Sequence, residues 1–247
     1  MILRVLERTL AARNVARAIV ATDDQRILDA VRSAGYEAVM TSPTHQSGSD
    51  RLAEVAATLD EASIIVNVQG DEPLISPQTI ERAIDELSKT DEAMIVTTCE
   101  PITVAADVLS NDVVKVVTDG AGRALYFSRS PIPLPREALR QHGTLSAALD
   151  ADPTLLKLFR KHTGLYAYRR SFLLEYTRWP TSKLERTEAL EQLRALEKGA
   201  VIRVIETTEP SIGVDTSADL ERVRKLFEEV RDQRSEISSK HLLTSDL

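Results

Sequence analysis

The stretch SIIVNVQGDEP, residues 63–73, decides how the chain is read. Ile64, Ile65, Val66 and Val68 form a β-branched apolar run that stops at Gly70 and two carboxylates, Asp71 and Glu72. Such a short run between polar flanks fits a strand buried on both faces. Gly70 permits a sharp turn, and Pro73 keeps Glu72 extended. A doubly buried strand belongs to a sheet covered by helices on both sides. In open sheets of that kind ligands meet the carboxyl ends of the strands. Asp71 therefore stands where a core strand emerges. That place suits a capped turn, or a carboxylate for Mg²⁺, which takes one or two carboxylates and completes its shell with water and phosphate.

Working outward, strand and helix patterns alternate. RAIVATD (17–23), EAVMTS (37–42) and AMIVTTCE (93–100) read as strands. Residues 23–36, 49–60 and 76–89 read as helices, the last opened by the cap Ser76 and by Pro77 at the first helical position. Repeated βα units predict a largely parallel sheet. The pattern then changes. Residues 112–129 read as two strands joined by a turn at Asp119-Gly120 and Gly122, and SPIPLP (130–135) breaks any regular element. Residues 134–155 read as a loop with short helical pieces. HTGLYAYRRSF (162–172) is expected as a strand, 187–199 as one helix ending at Gly199, 201–208 as a strand and 216–233 as a helix. The first segment, 2–13, has helical spacing at Ile2, Val5, Leu6 and Leu10, where a doubly wound domain usually opens with a strand. These patterns fit one domain over 1–232, with a small lobe at about 112–170, and a polar tail over 233–247.

Composition limits the function classes. A net charge of −7 argues against a general binder of nucleic acid or of membrane surfaces, but not against an anionic small molecule held by a few arginines. Apolar residues, 43% of the 247, suffice for a core. The lone Cys99 excludes a disulfide framework, fits a reducing cytoplasm and is expected as a buried, inert thiol. No run is long enough to span a bilayer as a helix.

Four further segments could carry chemistry. Asp215 in GVDTSADL follows Gly213 and precedes a helix; with Asp71 it would make a distant carboxylate pair able to hold metal on a phosphate chain. His45, Gln46, Ser47, Gly48 and Ser49 form a polar loop ahead of a helix, where exposed amides suit an anion or a base edge. Arg129 in YFSRSPIP could pair bidentately with an acidic substrate. His162, Tyr166, Glu191 and Gln192 are polar positions within regular elements, each ordinary by itself.

Taken together, VLER, IVATDD, HQSGSDRLAEV, IVNVQGDEP, VVKVVTD, ALYFSRSPIP, HTGLYAYR, LEQLRAL and GVDTSADLERVR resemble the 3-deoxy-manno-octulosonate (Kdo) cytidylyltransferase family, in family order and over most of residues 1–230. The resemblance implies a three-layer nucleotidyltransferase α/β sandwich with a mostly parallel, mixed sheet and a dimerisation lobe. It implies transfer of CMP from CTP to Kdo for lipopolysaccharide synthesis, with Mg²⁺, by a cytoplasmic homodimer. Asp71 and Asp215 match the catalytic metal ligands. Gln69, Arg129, His162, Tyr166, Glu191, Gln192 and Arg51 match substrate-binding positions, and His45, Gln46, Ser47 and Gly48 the nucleotide-binding region. The family pattern opens with a strand and a loop like IPARxxSxRLPGKPL, and this sequence starts just after it, at MILRVLER. The implied cationic loop is what a triphosphate needs, so activity is expected to depend on it. A non-catalytic binding protein, or a cytidylyltransferase for an 8-amino Kdo analogue or a sialic acid, stays open at this point.

Overall fold

The structure, a computed structural model, describes residues 1–207, 209, 213, 214 and 216–226. The strand predicted from SIIVNV is β3 (Ile64–Asn67), but it is not buried on both faces: among the described residues it pairs with β7 alone, and of its four residues only Ile65 is buried. β1 (Ile19–Thr22) and β2 (Glu37–Met40) pair in parallel as a separate ribbon. The main sheet adds β4 (Ala93–Pro101), the hairpin β5 (Lys115–Thr118) and β6 (Ala124–Ser128), β7 (Arg160–Arg169) and β8 (Val201–Glu206). Its order is β6-β5-β7-β4-β8, with β3 paired to β7.

The sheet is mixed, as expected, but its pairing differs from a simple succession of βα units. β4 and β8 are parallel, whereas β7 is antiparallel to β3, β4 and β5. Strands β3, β4, β5 and β8 thus run one way, and the reversed β7 is inserted between β3 and β4. The parallel direction of β3 and β4 was legible from the helix between them; the insertion was not.

Helices cover both faces. α4 (Pro77–Lys89) has Ser76 as its cap, the hydroxyl accepting from the Thr79 amide, and Pro77 at its start. Its Ile80, Ala83 and Leu87 pack with Val96, Leu165 and Ala167 on one face. Ile95 and Tyr168, next to Val96 and Ala167, point to the other face, against Ala53 and Ala56 of α3 (Gly48–Ala56) and Phe172 and Leu173 of α8 (Arg170–Tyr176). That alternation produces the three layers. β7 stops at Arg169 and α8 starts at once, so the strand expected through Phe172 is two residues-types of structure: strand, then helix.

The expected helix over 187–199 is also two: α9 (Lys183–Glu188) and α10 (Gln192–Glu197). Ala189 breaks it with φ 52°, in the left-handed region. α1 (Ile2–Leu10) is helical as its spacing predicts, with Val5 and Leu6 buried. α2 (Gln25–Ser33), capped by Asp24, packs Leu28 and Val31 on Val20, Ala38 and Leu6 as a small core of its own.

Between β1 and β3 lies a groove of about 780 Å³, lined by Ile2, Val5, Leu6, Ile65 and Val66 among others. Among the described residues no strand bridges β1 to β3. The short helices α5 (Ala105–Leu109), α6 (Arg136–His142) and α7 (Leu145–Ala151) and a 3-10 turn over Pro153–Leu158 build the lobe beside the hairpin, with Phe159 and Leu149 in its core.

Candidate active site

The turn after β3 meets β7. Asn67 lies opposite Tyr166, and Gln69 beyond it comes beside Gly164. Gly164 marks the approach: a Cβ there would stand 3.5 Å from Glu72 Oε1 and 3.6 Å from Gln69 Cγ. The Val214 amide donates to the Asp71 carbonyl at 2.9 Å. That bond brings the GVD segment to the VNVQGDEP turn, two stretches that sequence separation gives no reason to join. Asp215 itself lies outside the described residues. Among the described residues no group of three or more His, Cys, Asp or Glu side chains could hold a metal.

β7 carries an irregularity that shapes the site. Thr97 pairs with Tyr166 but Thr98 with Thr163, so Gly164 and Leu165 have no opposite partner on β4. In an unbroken register His162 would face Pro101; the extra pair draws it back opposite Cys99. His162 and Tyr166 then share one face, with ring centroids 5.4 Å apart, and Phe127 meets the imidazole edge-on at 5.0 Å. Bulges of this kind commonly re-aim side chains beside functional sites.

His162 is half-buried, and desolvation pushes its pKa down to about 3, so the ring is neutral at neutral pH. Its tautomer follows from Thr97. The Thr97 hydroxyl donates to the Leu165 carbonyl at 2.7 Å, which uses its one proton. The 2.9 Å contact between Thr97 Oγ1 and His162 Nε2 therefore has Nε2 as donor, leaving Nδ1 as an acceptor. Burial raises the Tyr166 hydroxyl well above its ordinary pKa, so it stays protonated.

Arg129 follows β6. Its Nε donates to the Glu188 carbonyl at 2.8 Å, Nη1 to the Asn111 carbonyl at 3.1 Å and Nη2 to the Ala189 carbonyl at 3.4 Å. Glu191 accepts from the Ser49 hydroxyl at 2.7 Å, and its carbonyl accepts from Tyr176 at 2.8 Å. Gln192 is buried at the start of α10. On the other side of the groove, Arg51 donates to Thr41 Oγ1 at 2.5 Å and to Asp23 Oδ2 at 2.9 Å. Gly48, Arg51, Gln69 and Gly70 all line that groove.

The loop ahead of α3 engages itself. His45 Nε2 sits 2.5 Å from Glu54 Oε2, Gln46 Nε2 donates to the Thr44 carbonyl, and Ser47 caps α3 through the Asp50 amide. The sequence reading missed Thr97, Lys115 and Glu188. None has a local signal; each matters only through a partner far along the chain. Cys99 is buried, as expected, with its thiol pushed up to about 11 chiefly by desolvation.

With this geometry in view, the chain was compared with known proteins. A family model described as cytidylyltransferase matches residues 1–207. A 3-deoxy-manno-octulosonate cytidylyltransferase of Geobacter sulfurreducens is 51% identical over 226 residues, 90% of this chain and 87% of the relative. The chain belongs to the 3-deoxy-manno-octulosonate cytidylyltransferase family. A more distant cytidylyltransferase of this family, from Solibacter usitatus, is 46% identical over 92% of this chain and 84% of its own. The fold agrees. A solved structure of a CMP:2-keto-3-deoxy-manno-octonic acid synthetase complexed with CTP superposes with a TM-score of 0.81 at 41% identity, over 92% of this chain and 87% of that one. A 4-diphosphocytidyl-2C-methyl-D-erythritol synthase from Anaerococcus prevotii, 12% identical with a TM-score of 0.57, shares the fold alone. The mixed three-layer sandwich is thus the cytidylyltransferase fold. No described helix is long and apolar enough to cross a membrane.

Proposed function

We propose that the chain transfers the cytidylyl group of CTP to Kdo, releasing pyrophosphate, in lipopolysaccharide synthesis. The observation that carries this reading is the 51% identity to a 3-deoxy-manno-octulosonate cytidylyltransferase along 90% of the chain. The sugar hydroxyl attacks the α-phosphorus in line; the new P–O bond forms as the bond to pyrophosphate breaks, and the hydroxyl proton leaves to solvent. No covalent enzyme intermediate is required, so the protein's task is alignment and charge neutralisation.

Arg129 offers the Kdo carboxylate the two N–H groups it does not spend on carbonyls, one on each terminal nitrogen. Neutral His162 accepts from a sugar hydroxyl through Nδ1, and Tyr166, Gln69, Glu191 and Gln192 complete the sugar side. Arg51 and the His45–Gly48 loop serve the nucleotide. Asp71 and Asp215 would hold Mg²⁺; the Val214–Asp71 bond supports their fit, and one carboxylate pair suffices for that ion. Bound there, the ion would neutralise phosphate oxygens. The protein acts in the cytoplasm, in keeping with its single buried thiol, and as a homodimer through the lobe. Leu125, Leu134 and Leu158, 61%, 57% and 49% exposed on and around that lobe, support self-association.

The test is pyrophosphate release from CTP with Kdo, with an 8-amino analogue and with a sialic acid, at saturating Mg²⁺. Release should be greatest with Kdo, and Asp71→Asn should lose nearly all of it, because the amide keeps the shape but removes the charge that would oppose the metal. Absence of Kdo-dependent release overturns the proposal.

A further inference from the structure

The end of α9 is built around one residue outside it. α9 is short, and the carbonyls at a helix C-terminus have no intrahelical donor. Ala189, at φ 52°, turns the chain so that the Glu188 and Ala189 carbonyls both accept from the Arg129 guanidinium. The left-handed region disfavours alanine, and glycine, which would enter it without strain, is not what stands here.

The Glu188 carboxylate adds a second set of contacts. Oε1 accepts from the Ser128 hydroxyl at 2.7 Å and Oε2 from the Arg129 amide at 2.9 Å. On the opposite side, Lys115 is fully buried, and its ammonium donates to the carbonyls of Ser110, Val113 and Arg129. Burial lowers the Lys115 pKa, with Glu188 opposing the shift. Arg129 is thereby held by its amide, its carbonyl and three guanidinium donors. Far less would anchor a surface arginine, and three of those contacts come from Glu188 or its neighbour.

We infer that Glu188 is a positioning residue for substrate recognition: with Lys115 it presets the Arg129 guanidinium so that its two remaining N–H groups meet an acidic sugar's carboxylate without a search through rotamers. This rests on the reading of Arg129 as the ligand of the sugar acid. Preorganisation of this kind shows in affinity for the one ligand that Arg129 touches, because ordering a long side chain is a cost of binding.

The experiment measures Kd for Kdo and, separately, for CTP by calorimetry on the full chain, with the thermal midpoint of each variant. Glu188→Gln, whose amide nitrogen cannot accept, should weaken Kdo binding by roughly tenfold and leave CTP within about twofold. Glu188→Asp, which keeps two acceptors, should recover part of the loss. Ser128→Ala, a milder change to the same carboxylate, should shift Kdo binding in the same direction and keeps the test open if Glu188→Gln fails to fold. The decisive arm is the double variant: Arg129→Ala with Glu188→Gln should bind Kdo no more weakly than Arg129→Ala alone, since Glu188 acts through Arg129. Additive losses, or equal weakening of Kdo and CTP, mean that Glu188 only holds the fold, and overturn the inference. If the parent chain binds CTP but not Kdo, the assignment of the substrate falls, and the inference with it; if the parent binds Kdo and Glu188→Gln binds it equally well, the inference alone falls.

Discussion

Ser49 donates its hydroxyl to the Glu191 carboxylate across 2.7 Å, although the two stand 142 positions apart. This bond joins the start of α3 to the turn between α9 and α10. Both ends are secured elsewhere: Ser47 caps α3, and Tyr176 donates to the Glu191 carbonyl.

Removing that hydroxyl leaves Glu191 short of a charge-assisted partner. Hydrogen bonds to charged groups contribute about 1.5–3 kcal/mol. Ser49→Ala should lower the unfolding free energy in urea by that order, with the slope of the transition unchanged. An unaltered midpoint would show that the contact is not maintained in solution.

The neutral imidazole of His162 makes stability depend on pH with a definite sign. Its pKa falls from the ordinary 6.5 to about 3 on folding. Between those values the unfolded chain binds a proton that the native state does not, so stability declines as pH drops through that window. His162→Gln removes this component. Its thermal midpoint should fall less than the parent's between about pH 7 and pH 5, and parallel curves would sink the assignment.

Glu185 and Arg194 form a buried pair, 8% and 6% exposed, with Nε and Oε2 3.2 Å apart. The guanidinium also lies 4.4 Å from the centre of the Tyr176 ring. Breaking such a pair from one side leaves an uncompensated charge, at a cost of about 3–5 kcal/mol. Glu185→Ala should approach that loss in chemical denaturation, and Glu185 is also the partner of Ser182 in the box that caps α9. A loss under about 1 kcal/mol, the value for an exposed pair, would contradict it.

The groove between β1 and β3 predicts a binding signature. The apolar part of its lining, with Ile2, Val5, Leu6, Ile65 and Val66, should take up a hydrophobic fluorescent dye in the native state. Ile2→Asp, which places a charge in that lining, should lower the fluorescence. An unchanged signal would place the apolar surface elsewhere.

How far the sequence led can be judged from particular elements. Ser76 with Pro77 and the end of the strand SIIVNV were legible because caps and strand ends are local chemistry. The Asp119–Gly122 turn and its hairpin were legible for the same reason. The insertion of β7 between β3 and β4 was not, since a strand's period reveals its faces but not its neighbours. The break at Ala189 could not be read either. Alanine is the best helix former, and only Leu190 packing into the core and Arg129 claiming the carbonyls override that preference. Among site residues, Asp71 was visible as a carboxylate at a strand end. Thr97 and Glu188 act through hydrogen bonds to His162 and Arg129, over separations of 65 and 59 positions, which a one-dimensional pattern does not carry.

The separate β1–β2 ribbon has a consequence for how the protein opens. It shares no ladder bonds with the main sheet among the described residues and keeps its own small core of Leu6, Val20, Leu28, Val31 and Ala38. Such a unit exchanges its amide hydrogens through local opening, at a free energy below that of the whole fold. Thr41 and Asp23, the partners of Arg51, belong to the ends of that ribbon. Each opening therefore releases Arg51 from the geometry that a nucleotide would meet, and a nucleotide that binds only the closed form slows exchange across β1 and β2 in proportion to its occupancy. If Arg51 meets the nucleotide as proposed, protection of this ribbon against exchange would serve as a local gauge of nucleotide occupancy.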